Sequence, residues 1–185
     1  TGATLYNHQM QSDDIKTVLV TGANGFIGAR ICRLLAASGY AIRIICRETS
    51  DLTLLEDIPY SKIYADITNR ESLERPVQGV DYIIHLAGLI KANTEDDFLR
   101  VNQGGTANLL NAVKNHNLDL KKFVYVSSAA GSGISHGKPR KETDPSEPLT
   151  PYGRSKLANI LFTYEFARRL SNQPQEPTRD AVLHR

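Results

Sequence analysis

From Thr17 onward the chain alternates two rhythms: short runs rich in Val, Ile and Leu, and longer stretches whose apolar residues recur at helical spacing. A continuous apolar run marks a strand covered on both faces, and its alternation with helical stretches predicts βαβ units around a parallel sheet. The first run, Thr17-Val-Leu-Val-Thr21, leads straight into Thr21-Gly-Ala-Asn-Gly-Phe-Ile-Gly28. Ile27, Ile31, Leu34 and Leu35 then keep helical spacing up to a stop at Gly39. Further strands are expected at Ala41 to Cys46, around Lys62 to Ala65, at Tyr82 to Leu86 with its entry marked by Gly79, and at Phe123 to Val126. Helices are expected from about Asn69 to Pro76 and from about Thr94 to Asn115. A loop rich in Gly, Pro and Ser follows Ser127-Ser128 and runs to Thr150, a length that is usually functional in a compact domain. Pro151 suits the first turn of a last helix that carries Tyr152 to about Leu170.

This pattern divides the chain into three parts. Residues 1–16 are polar and lack the apolar core of a secretory signal, so they read as a flexible leader or expression remnant, with Met10 a candidate start. Residues 17–170 hold every one of these strands and helices and read as one domain. Residues 171–185 are a polar tail in which Ala181-Val-Leu183 is read as the start of a sixth strand.

Composition narrows the function classes. A length of 185 residues fits one domain, and 41% hydrophobic with 23% charged residues is ordinary for a globular chain. The 22 basic and 20 acidic residues are well mixed and leave a net charge of +2, so no nucleic-acid partner is expected. The longest apolar stretch, Val80 to Ile90, is broken by Asp81 and His85 and is too short to cross a bilayer, so no membrane association is expected. Cys32 and Cys46 lie in apolar segments without CxxC spacing. They read as core thiols rather than as metal ligands, in keeping with a reducing, cytoplasmic location.

Gly22, Gly25 and Gly28 stand between a strand and a helix, where glycine permits a tight turn, close approach to a pyrophosphate and close helix packing. The helix N-terminus at Phe26 and Ile27 offers free N–H groups and a partial positive charge to the phosphates. Three glycines alone are a weak signal, since an ordinary βα turn also uses them.

The spacing is TGxxGxxG rather than GxGxxG, and it is followed in order by Ala65-Asp-Ile-Thr68, His85-Leu-Ala-Gly88, Val101-Asn-Gln-Gly-Gly-Thr106, Phe123-Val-Tyr-Val-Ser-Ser128 and Tyr152-Gly-Arg-Ser-Lys156. Over about Thr17 to Arg169 the chain resembles the extended short-chain dehydrogenase/reductase superfamily, in its NAD-dependent epimerase/dehydratase-like branch. The resemblance implies an α/β, doubly wound parallel sheet of Rossmann type. It further implies that Asp66 and Ile67 border the adenine, that Leu86, Ala87 and Gly88 line the cofactor behind the nicotinamide ribose, and that Asn102 bonds to neighbouring backbone rather than to substrate. Members of that branch continue into a smaller substrate domain after the strand that Ala181-Val-Leu-His-Arg185 resembles, so the C-terminal substrate domain is expected to be missing here. A homodimer through the helices of the Thr94 and Tyr152 segments is also implied, with Leu157, Ile160 and Leu161 on the contact face or, equally, on the core.

Arg47 follows the second strand, where an acidic residue would accept bonds from a ribose 2′-OH; an arginine fork suits a 2′-phosphate instead, so NADP is expected before NAD. Tyr152 and Lys156, four apart, share one face of a helix. A free phenol ionises near pH 10, so acid–base work at neutral pH needs a neighbouring ammonium that favours the phenolate. Tyr152 is thus the expected proton donor or acceptor, and Lys156 also holds the nicotinamide ribose. By the resemblance Ser128 orients the substrate oxygen, with Ser127 the second choice. His85 is expected to be a structural strand residue, and His136 a loop residue near the substrate.

The expected function is hydride transfer as an NAD(P)-dependent oxidoreductase or epimerase/dehydratase, acting on a small carbonyl or alcohol or on a nucleotide sugar. A dinucleotide-binding sensor or scaffold, and an inactive fragment of such an enzyme, are the alternatives.

Overall fold

A computed structural model of the chain describes residues 15–135 and 137–171. Residues 1–14 of the expected leader with its candidate start, His136 and the expected sixth strand lie outside them.

Five strands form one wholly parallel sheet: β1 (Thr17–Thr21), β2 (Ala41–Cys46), β3 (Ser61–Tyr64), β4 (Tyr82–His85) and β5 (Lys122–Tyr125), in the order β3-β2-β1-β4-β5. The helices are α1 (Phe26–Ala37), α2 (Glu74–Val77), α3 (Glu95–Phe98), α4 (Gly105–His116) and α5 (Pro151–Ser171). This is the doubly wound arrangement expected from the sequence, and the order reverses between β1 and β4, where such sheets open a crevice at their carboxyl ends.

The alternation of side chains along each strand feeds two cores. Val18 and Val20 of β1 join Ile42, Ile44 and Cys46 of β2 beneath Ala29 and Cys32 of α1. Leu19, with Ile45 and Ile83, faces the other way and packs against Leu73, Leu109 and Val113. Both cysteines are free and buried, as their apolar surroundings suggested. At the amino ends of the strands, Asp81 accepts from Thr17 N at 2.9 Å and from Lys121 Nζ at 2.6 Å, tying β1, β4 and β5 together. Asn117 caps the end of α4 and donates to the carbonyls of Val77 and Val80, at 2.8 and 2.9 Å.

Two predicted helices change form. The stretch expected from Asn69 to Pro76 is a 3₁₀ turn over Glu71–Leu73 followed by α2. Here side chains take the backbone bonds that would start a longer helix: Asn69 Oδ1 accepts from Glu71 N at 3.1 Å, and Ser72 Oγ accepts from Asp66 N at 3.1 Å and lies 2.8 Å from the Asn69 carbonyl to which it can donate. The stretch expected from Thr94 to Asn115 is three pieces, α3, a π-helical segment over Leu99–Gly104, and α4. Such wide turns inside helices commonly occur at functional sites. Among the described residues no helix is long and apolar enough to cross a membrane.

Candidate active site

The turn after β1 is built so tightly that Gly22 and Gly28 are obligatory. Gly22 has φ +69°, and a Cβ there would stand 2.8 Å from Ala87 N; a Cβ on Gly28 would be driven into the Gly22 carbonyl. Gly25 is the N-cap of α1 and brings no side-chain cap, and the first turn holds no acidic residue. The positive end of α1 is therefore not neutralised by its own side chains. Phe26 and Ile27, at its start, are 86% and 57% exposed although apolar. Two glycines that bar a Cβ, uncapped N–H groups and two exposed apolar residues together suit a dinucleotide laid along this edge.

The predicted adenine side is less open. Asp66 is half-buried and its Oδ1 accepts from Thr68 N at 2.8 Å and Thr68 Oγ1 at 2.7 Å. Those bonds, and more weakly the Arg47 and Arg100 guanidiniums, hold its carboxyl below the usual aspartate range. Ile67 is drawn into the core, 8% exposed and pressed against Gly105. Arg47 is exposed, in a turn closed by Ser50.

Beyond β4, Leu86 and Ala87 are half-buried and Gly88 is exposed. A Cβ on Gly88 would lie 2.9 Å from Asn102 Oδ1 and 3.5 Å from Lys156 Nζ, so the glycine leaves room between the chain and the lysine. Lys156 itself is only 5% exposed. Its Nζ stands 5.2 Å from the Tyr125 ring centroid and 5.8 Å from that of Tyr152. Burial pulls its pKa down to about 8.

Three neighbours fix the first turns of α5. The Phe98 ring lies 5.9 Å from the Tyr152 ring, and Arg154 donates through Nε and Nη2 to Glu95 Oε1, at 3.0 and 2.7 Å. Gly153 lets the Ala130 carbonyl close on the helix, which brings the 3₁₀ turn Ala129–Gly131 against Lys156. Ser128 caps that turn, its Oγ accepting from Ala130 N at 3.2 Å, so its hydroxyl proton is left to donate elsewhere. Ser127 Oγ is buried and has no hydrogen-bond partner among the described residues. An open cleft lined by Leu89, Lys91, Ala92, Asn93, Asp97 and Phe98 runs alongside.

Residues 18–171 match the family model described as the NAD dependent epimerase/dehydratase family. The chain belongs to this family. Among curated relatives it is 31% identical over 148 residues to sterol demethylase protein B of Methylococcus capsulatus, covering 77% of this chain and 44% of that protein. Ceramide reductase of Caulobacter vibrioides is 34% identical over 121 residues, 65% of this chain and 37% of that protein. The structure of UDP-glucose 4-epimerase from Brucella ovis in complex with NAD superposes with a TM-score of 0.74 at 27% identity, over 84% of this chain and 49% of that one. The chain thus spans less than half the length of these relatives.

Within this family frame the structure brings Gly22, Gly25, Phe26, Ile27, Gly28, Leu86, Ala87, Gly88, Ser128, Tyr152 and Lys156 to the carboxyl edge of the sheet. Asp66 and Arg47 stand at the ends of β3 and β2, and Ile67 turns inward. Asn102 bonds to backbone as anticipated: Leu89 N donates to its Oδ1 at 2.6 Å, and its Nδ2 donates to Leu89 O and Ser155 Oγ. Sequence reasoning missed Gly153, Ser155 and Asn159. Ser155, Asn159 and Thr163 recur every fourth residue on α5, a polar stripe that in the sequence reads as a solvent face, and all three are buried.

Proposed function

We propose that this chain supplies the cofactor-binding half and the acid–base pair of an NAD(P)-dependent oxidoreductase or epimerase/dehydratase. The observation that carries the reading is the Lys156 ammonium, buried beside the Tyr152 ring at the mouth of the glycine loop. A binding-only scaffold has no use for that costly placement.

In this reading Gly22, Gly25 and Gly28 with the N–H groups of Phe26 and Ile27 hold the pyrophosphate, Asp66 borders the adenine, and Leu86, Ala87 and Gly88 back the nicotinamide ribose. Lys156 bonds that ribose and sets its side chain beside the Tyr152 ring, 5.8 Å from the centroid. Bound nicotinamide supplies the hydride acceptor or donor. Tyr152 Oη gives a proton to a carbonyl oxygen or takes one from an alcohol, while Ser128 donates to the same oxygen and fixes its position. Arg47 suits a 2′-phosphate, which makes NADP the first cofactor to test and NAD the second. The relatives include a UDP-glucose epimerase, which favours a nucleotide sugar, and a ceramide reductase, which favours another carbonyl or alcohol. A homodimer is part of the proposal, because Leu161 and Phe162 of α5 are 59% and 39% exposed while Leu157 and Ile160 are half-buried.

The test is Tyr152→Phe in the complete reading frame that carries this chain. Turnover should fall roughly 10²–10⁴-fold, the scale of general acid–base catalysis, with dinucleotide affinity retained. Unchanged turnover would sink the mechanism.

A further inference from the structure

The last residues of three neighbouring strands, Thr21, His85 and Tyr125, lie in register across the sheet. They follow Leu19, Ile83 and Phe123 on the same face, so an apolar layer gives way to a polar one at the carboxyl edge. His85 is the centre of this row. It is fully buried, and its Nδ1 lies 2.6 Å from Thr21 Oγ1 and its Nε2 3.0 Å from Thr106 Oγ1.

The proton positions along this row follow from counting donors. Thr106 has one hydroxyl proton, and it goes to the Asn102 carbonyl, 2.7 Å away. Thr106 Oγ1 must then accept, so His85 carries its proton on Nε2. Nδ1 is left as an acceptor and receives the Thr21 hydroxyl proton, while Thr21 Oγ1 accepts from Ala87 N at 3.1 Å. Every bond from Ala87 to Asn102 thus runs in one direction. Asn102 continues the path through Ser155, whose Oγ donates to the Tyr152 carbonyl at 2.8 Å.

We propose that His85 is a positioning residue: as the neutral Nε2–H tautomer it locks the dinucleotide-facing backbone at Ala87 to the Asn102 clamp on the Tyr152/Lys156 helix. The proposal rests on the dinucleotide-dependent reading above. Among the described residues the titratable groups that face the ring are Lys156 from α5 and Tyr125 from β5, whose ring centroid is 5.7 Å away; β1 and α4 present the hydroxyls of Thr21 and Thr106. A second proton on His85 would sit on Nδ1 and turn that nitrogen against Thr21. Burial first and the Lys156 charge second oppose it.

Two measurements test the lock. Long-range ¹⁵N–¹H NMR of the unmodified chain should show His85 neutral with its proton on Nε2 throughout pH 5 to 8; an Nδ1–H tautomer, or titration in that range, overturns the proposal. NADH and NADPH affinities of Thr21→Val, Thr106→Val and the double variant form the second. Each single change should weaken binding about tenfold, the scale of one buried hydrogen bond, and the double no more than either. Thr106→Ser, which keeps the hydroxyl, should restore affinity. Additive losses, or failure of Thr106→Ser to rescue, overturn the proposal while leaving the acid–base reading intact. Normal turnover of Tyr152→Phe overturns that reading and leaves the lock standing, and no dinucleotide binding by the unmodified chain overturns both.

Discussion

The Lys156 ammonium lies 5.2 Å over the Tyr125 ring while burial draws its pKa from 10.5 down to about 8. A charge held in this way costs stability. Below pH 8 folded and unfolded chains both carry the proton and the penalty is full. Between pH 8 and 10.5 the unfolded chain keeps a proton that the folded chain has released, so the penalty is relieved as pH rises. At about 1.4 kcal/mol per pH unit it amounts to roughly 3 kcal/mol at neutrality. In the cofactor-free protein, Lys156→Met should therefore raise the urea midpoint at pH 7 and flatten the rise in stability between pH 8 and 10.5. A variant less stable than the parent at pH 7 would contradict this.

Acid should act through His85. Its pKa is pushed down to about 3 by burial and, second, by Lys156, against 6.5 in the unfolded chain. Between those values only the unfolded chain takes up the proton, so stability is complete above pH 6.5 and falls as pH drops toward 3. Denaturation curves recorded from pH 7 to pH 4 should show stability falling by up to about 1.4 kcal/mol per pH unit from this group. His85→Gln should remove that part of the slope; an unchanged slope would assign the acid sensitivity to other groups.

Gly28→Ala and Gly39→Ala separate two uses of glycine. At Gly28 an added methyl meets the Gly22 carbonyl, whereas at Gly39, with φ +82°, nothing lies within 4 Å. The second change should cost about 1 kcal/mol for its strained backbone and leave dinucleotide binding intact. The first should cost more, roughly 1–3 kcal/mol of overpacking, and abolish binding by opening the loop. Chemical denaturation with NADPH titration measures both, and equal effects would mean that the Gly28 contact is easily relieved.

Arg47→Asp should shift preference toward NAD. An exposed guanidinium suits a 2′-phosphate and an aspartate a 2′-OH, so the ratio of NADPH to NADH affinity should fall at least tenfold, the scale of a charge-assisted bond. An unmoved ratio would take Arg47 out of the cofactor site.

Much of this was legible in the sequence because buried parallel strands write themselves as continuous apolar runs, and β1 and β2 fall where Thr17–Thr21 and Ala41–Cys46 predicted them. The glycine spacing and the Tyr152/Lys156 pair were equally visible, since each is local. What escaped is non-local or aperiodic. Residues 53–55 and 129–131 form single 3₁₀ turns too short for any period. Ser155 and Asn159 look like solvent-facing polar residues until the Asn102 side chain and carbonyl are seen to meet them. The packing of the Ile67 side chain against Gly105 is of the same kind, since the room for it is left by a glycine far along the chain.

The π-helical segment Leu99–Gly104 sets a constraint on how the gene can change. Its wider turn holds one residue more than an α-helix would, and each helical residue advances the direction of the next by about 100°. Removing any one residue there would mend the ordinary hydrogen-bond ladder and at the same time swing Glu95 and Phe98 about a quarter-turn away from Arg154 and Tyr152. Apart from Asn102, whose buried side chain holds Leu89 and Ser155, this stretch should therefore accept substitutions more readily than any single-codon deletion.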